Sequence, residues 1–133
     1  MKAELLTELK KLGHEGLDLG PSTGESVDYP DYAVKVTSAI TGGKAALGVL
    51  ICGTGLGMSL AANKVHGIRA VLCHTEFEAR MGRNHNDANV LCLGARVIGG
   101  SLAIELLKAF LSSSFEGGRH ATRVAKLMAL EGK

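Results

Sequence analysis

Leu5, Leu6, Leu9 and Leu12 recur at the spacing that keeps one face of a helix apolar, and Gly13 stands where that helix should stop. His14 to Leu19 predicts a short strand. Gly20–Pro30 predicts a loop, punctuated by Pro21, Ser22, Thr23 and Gly24. A second helical period covers Asp31–Ile40, with Ala33, Val36, Ala39 and Ile40 on the buried side, and Gly42-Gly43 ends it. Leu47–Ile51 is a continuous apolar run, the mark of a strand covered on both faces. A tight turn, Gly53–Gly57, leads into a helix over Met58–Lys64. Two further strands are predicted at Ile68–Cys73 and Asn89–Leu93. Helices are predicted at Glu76–Arg83, Leu102–Leu111 and Arg119–Leu130.

Strands that alternate with helices imply parallel βαβ units. The expected fold class is α/β: three layers, an open parallel sheet with helices on both faces, Rossmann-like. In such sheets ligands bind beyond the carboxyl ends of the strands. Cys52, Cys73 and the loops after them are expected at that edge.

The chain has 133 residues, one domain's worth. Hydrophobic residues are 46% and aromatics 4%, so the core must be built from aliphatic side chains. No apolar run reaches the roughly 18 residues a membrane span needs, and the first residues do not read as a signal peptide. A cytoplasmic protein is expected. The net charge of +2 gives no case for nucleic-acid binding. Three cysteines, Cys52, Cys73 and Cys92, make no disulfide framework and fit no zinc spacing. Cys73 and Cys92 lie in apolar runs and are expected in the core.

Three segments carry candidate chemistry. Ile51-Cys52-Gly53-Thr54-Gly55-Leu56-Gly57 sets a thiol beside a glycine-rich turn at a strand-to-helix junction. Successive N–H groups there can hold an anion. The spacing is neither G-x-G-x-x-G nor a P-loop. Either the thiol faces an oxyanion nest, or the turn merely follows a core cysteine; Thr54 offers a hydroxyl to a ligand or serves the turn. Arg83-Asn84-His85-Asn86-Asp87 presents a histidine for proton transfer or a capping cluster. In Glu116-Gly117-Gly118-Arg119-His120-Ala121-Thr122-Arg123, Arg119 and Arg123 are four apart and share a helix face, which suits a phosphate dianion or a solvated basic face. Arg69 and Arg96 are further cationic candidates. His14, His66 and His74 are expected at the surface or in turns. Tyr29 walls a sugar site or staples the loop to the helix.

Together these segments resemble the ribose-5-phosphate isomerase B family, which includes galactose-6-phosphate isomerase subunits. The matching stretches are Asp28–Tyr32, Gly48–Ala70 (GVLICGTGLGMSLAANKVHGIRA), Arg83–Val97 (RNHNDANVLCLGARV) and Phe115–Val124 (FEGGRHATRV), in the family's order. The resemblance implies an aldose–ketose isomerase of the pentose phosphate pathway, working through an enediolate with no metal and no cofactor. It makes Cys52 the base that moves a proton between carbons 1 and 2, activated by the helix N-terminus beside it. The amides of Gly53, Gly55 and Gly57, with Asn86, stabilise the enediolate. His85 assists ring opening, with Thr54 nearby, and Arg96, Arg119 and Arg123 hold the phosphate. One branch of the family has a Glu where this chain has Met58, so the chain resembles the Cys branch. Family members are homodimers with the site at the interface, which implies that His85, Asn86 and Arg96 come from the partner of the subunit providing Cys52. A tetramer is compatible with this.

The family also opens with a strand ending in an Asp-His pair. This sequence begins directly in the first helix and has no such pair. A central strand is therefore expected to be missing, leaving neighbours with unpaired backbone groups. Two alternatives stand beside an active ribose-5-phosphate isomerase. One is a truncated or non-catalytic phosphosugar-binding subunit with reduced or no activity. The other is an isomerase of a 6-phosphohexose such as allose or galactose 6-phosphate.

Overall fold

A computed structural model describes residues 1–132. The elements follow in the order α1 (Lys2–Lys11), α2 (Tyr29–Thr41), β1 (Gly48–Cys52), α3 (Leu56–Ala62), β2 (Ala70–Leu72), α4 (Glu76–Asn86), β3 (Val90–Gly94), α5 (Gly100–Leu111) and α6 (Arg119–Met128). The three strands are parallel, in the order β1-β3-β2. Helices cover both faces, so the three-layer α/β expectation holds.

The strand alternation assigns each face. Val90 and Cys92 pack with Ala33, Leu50, Met58 and Ala62, beneath α2 and α3. Leu91 and Leu93 point the other way and pack with Leu5, Ala79, Leu106, Leu107 and Phe110, beneath α1, α4 and α5. Every residue of β3 is buried, as a central strand of such a sandwich must be. Pro30 lies in the first turn of α2, where its missing N–H leaves no bond unmade. Thr75 and Glu78 form a reciprocal capping box that starts α4. Among the described residues no helix is long and apolar enough to cross a membrane.

The strand expected at His14–Leu19 does not form. Asp18 bonds locally instead. Its carboxylate accepts the Gly20 N–H at 2.9 Å and the Lys2 ammonium at 3.2 Å. Those partners, the Gly20 amide first, hold its carboxyl below the usual range. Local side-chain-to-backbone bonding of this kind competes with a ladder. Among the described residues β1 has β3 on one side and no strand on the other.

Other boundaries move slightly. β2 shrinks to Ala70–Leu72; before it, the Arg69 carbonyl still accepts the Asn89 and Val90 N–H groups, while the Arg69 side chain bonds Asp87. α3 begins at Leu56, inside the predicted turn. α4 runs on to Asn86, which puts His85 and Asn86 in its last turn. α6 ends at Met128 rather than Leu130.

Candidate active site

Cys52 closes β1 at the carboxyl edge of the sheet and is half-buried. Its sulfur accepts the Gly55 N–H at 3.1 Å. The turn that follows is clamped to the end of β3, where Ala95 N–H meets Cys52 O at 2.8 Å and Arg96 N–H meets Gly53 O at 2.9 Å. Gly55 has φ +79°, and a Cβ there would stand 2.5 Å from Leu72 Cδ1 and 3.0 Å from the Leu93 carbonyl carbon. Only glycine satisfies both conditions. Thr54 Oγ1 accepts the Leu56 N–H at 3.3 Å and so caps the turn. A Cβ on Gly57 would lie 2.5 Å from the Tyr29 ring, so the tyrosine is seated on that glycine. The Arg96 side chain runs along Gly53, 3.4 Å from where a Cβ would be. Cys52, the turn amides, Tyr29 and Arg96 thus line one edge. Arg96 was expected to act with His85 and Asn86, but it lies on the Cys52 turn of its own chain.

The other two thiols are core residues. Cys73 and Cys92 are 1% and 0% exposed. Burial pushes both up to about 12.

His85 and Asn86 sit at the opposite edge. α4 leaves the carboxyl end of β2 and returns to the amino end of β3, so its last turn is about one strand length, roughly 17 Å, from the Cys52 end. Asp87 caps α4 with φ +47°. Its carboxylate pairs with Arg83 at 3.0 Å and Arg69 at 3.2 Å. Arg69 Nε also donates to the Asp87 carbonyl at 2.8 Å. Arg69, a cationic candidate from sequence, therefore holds a turn together. Arg83 Nη1 donates to Ala88 O at 2.6 Å, while its buried Nε has no partner.

Two residues that sequence left without a role meet His85. The His120 ring stacks on it, 4.1 Å between centroids and 7° between planes. Glu116 Oε2 lies 3.9 Å from His85 Nε2 and 3.6 Å from His120 Nε2. These are ion-pair distances, too long for hydrogen bonds. Glu116 and His120 share one helical spacing, but nothing local ties them to His85. Burial lowers the His120 pKa, assisted by His85, Arg119 and Arg123 and opposed by Glu116. Arg119 and Arg123 are exposed on α6, whose start follows Gly117 and Gly118, both with positive φ. His14, His66 and His74 are exposed, as expected.

The ligand atoms of His85, Glu116 and His120 all lie within 4.8 Å of one another, a spacing that three donors to a metal ion can have. The ring orientation fits an ion poorly. An imidazole binds metal in its own plane, at about 2.0–2.1 Å, and two parallel stacked rings share no such point.

Residues 1–127 match the family model for ribose/galactose isomerases. Ribose-5-phosphate isomerase B of Escherichia coli is 47% identical over 98% of this chain and 88% of its own length. The solved structure of ribose-5-phosphate isomerase B from Clostridium thermocellum superposes with a TM-score of 0.96 at 52% identity, covering 98% of this chain and 88% of that one. D-erythrulose-4-phosphate isomerase of Pectobacterium atrosepticum is 50% identical over 79% of this chain and 69% of its own. With the family model matched over residues 1–127 and relatives 47% identical or more over nearly the whole length, the chain belongs to the ribose/galactose isomerase family.

Proposed function

We propose that the chain is one domain of a homodimeric, cytoplasmic enzyme that interconverts ribose 5-phosphate and ribulose 5-phosphate. The observation that carries this reading is the Gly55 N–H donated to the Cys52 sulfur at 3.1 Å, at the mouth of a turn built from Gly53, Gly55 and Gly57. A base must reach the substrate while amides face the oxygen on which charge develops. Both groups occupy this turn.

The reaction moves protons and leaves the overall oxidation level of the sugar unchanged. Cys52, as thiolate, removes the proton from carbon 2 of the open-chain aldose, and the electron pair forms the enediolate. The Gly53 and Gly57 amides, with Asn86, stabilise the charged oxygen, while the Gly55 N–H stays on the Cys52 sulfur. Passage of the hydroxyl proton from oxygen 2 to oxygen 1, with return of the carbon-bound proton at carbon 1, gives the ketose. His85 serves ring opening, with Thr54 close to the thiol. Tyr29 walls the sugar, and Arg96, Arg119 and Arg123 bind the phosphate.

Cys52 and His85 lie at opposite edges of one chain's sheet, so one chain alone does not bring them to one substrate. A second copy that presents its His85, Asn86, Arg119 and Arg123 to the first copy's Cys52 edge completes the site; Arg96 stays with its own Cys52. A five-carbon substrate is preferred over a four-carbon one because the relatives named for ribose match 98% of the chain, against 79% for the erythrulose enzyme.

The test is Cys52→Ala in a coupled isomerase assay. Loss of a general base should lower kcat by roughly 10²–10⁴-fold, while isothermal titration still detects phosphosugar binding. Wild-type turnover in that variant would end the proposal.

A further inference from the structure

Glu116 and His120 have no part in the reading above, yet both stand against a residue that does. Three separate elements converge on the His85 ring. α4 carries it, the segment before α6 brings Glu116, and α6 brings His120. The Glu116 N–H donates to Asn84 O at 3.0 Å, which ties that segment to the last turn of α4. His120 is 7% exposed, so its ring is fixed by packing, whereas the His85 side chain is 38% exposed and has an open side.

A metal ion does not explain the trio. The rings are 7° from parallel, and Arg119 and Arg123 bring two further positive charges to His120. The parallel stack and the shared carboxylate instead suit a single histidine that must hold one orientation while its charge changes.

We propose that His120, together with Glu116, positions His85 for proton transfer to the sugar ring oxygen. This rests on the reading that His85 acts in ring opening. In that step the bond between carbon 1 and the ring oxygen breaks, with its electron pair going to the oxygen. The oxygen takes the imidazolium proton. The anomeric hydroxyl gives its own proton to water and becomes the aldehyde, and solvent reprotonates His85. The His120 stack sets the plane from which the proton leaves. Glu116 supplies the negative charge that faces the imidazolium. The charged and titratable groups around the stack are Glu116, Arg119 and Arg123.

The experiment separates ring opening from enolisation. Wild type, His120→Ala, His120→Phe and Glu116→Gln are assayed with ribose 5-phosphate. In parallel, deuterium incorporation at carbon 1 of ribulose 5-phosphate is followed by NMR, because the ketose has no ring to open. His120→Ala should lower kcat roughly tenfold to a hundredfold, the scale of a misplaced catalytic group, with KM and deuterium incorporation unchanged. His120→Phe, which keeps a flat ring in the stack, should recover most of the kcat. Glu116→Gln removes the carboxylate that faces the ring and should lower kcat with deuterium incorporation unchanged.

Wild-type kcat in His120→Ala, or deuterium incorporation falling in step with kcat, overturns the proposal. Stoichiometric zinc binding lost in both His120→Ala and Glu116→Gln also overturns it, by making the trio a metal site. A wild-type protein with no isomerase activity defeats the functional reading instead. Positioning is then judged from the imidazole nitrogen spectrum of His85, and an unchanged tautomer ratio in His120→Ala overturns it.

Discussion

At the scale of single residues the three cysteines separate cleanly. Cys52 is half-buried with an amide on its sulfur, whereas burial raises Cys73 and Cys92 to about 12. Thiolates react and thiols do not. A disulfide reagent should therefore label one thiol per native chain, and Cys52→Ala should abolish that signal. Denaturation should expose the other two. This distinction was legible in the sequence, because only Cys52 is followed by a glycine turn. Gly55 was legible as part of that turn, but not its contact with Leu72. Replacing it by Ala forces a Cβ into both Leu72 and the β3 backbone at a positive φ. The expected loss is about 2 kcal/mol or more, read from urea unfolding. The roles of Arg69 and His120 were not legible. Each is decided by a partner far along the chain, Asp87 for one and His85 for the other.

At the scale of elements, periodicity was a good guide wherever tertiary packing agreed with it. α1, α2 and α5 followed their apolar spacing, and β1 and β3 followed their apolar runs. The strand foreseen at His14–Leu19 failed because a ladder needs a neighbour and Asp18 had a local alternative. α4 owes its sharp start to Thr75 and Glu78. The backbone N–H of His74, then burial in the opposite sense and the bonds from Thr75, leave the Glu78 carboxyl below its ordinary value. A depressed carboxyl contributes stability above its unfolded pKa, and that contribution disappears as pH falls through the folded value. Thr75→Ala should cost about 1 kcal/mol at neutral pH. The gap between variant and wild type should narrow in acid, as seen by thermal melts across that range. His120 runs the same way. Its pKa is lowered by burial, so the stability it lends is complete above the unfolded imidazole value. It is lost as pH falls toward the folded one.

At the scale of the whole molecule, Cys52 closes β1 at one end of the sheet and His85 stands in the last turn of α4 at the other, and the proposed function makes these the two halves of a shared site. The sequence held both, on motifs in the family's order, but their separation came only with the strand order and the return of α4. Two inactive variants should then complement. Cys52→Ala and His85→Ala, unfolded together and refolded, should recover about a quarter of wild-type activity, since half of the randomly formed dimers carry one intact site of two. Either variant alone should recover none. Mixed activity no higher than the separate preparations would argue for a site within one chain.

The bare flank of β1 has its own consequence for handling the protein. Gly48–Cys52 is an apolar run with main-chain donors and acceptors along a side that, among the described residues, no strand occupies. Such an edge is a template for growth by addition of further chains, and a net charge of +2 offers little repulsion against it. Turbidity and cross-β dye fluorescence should rise with protein concentration, at temperatures well below the melting transition.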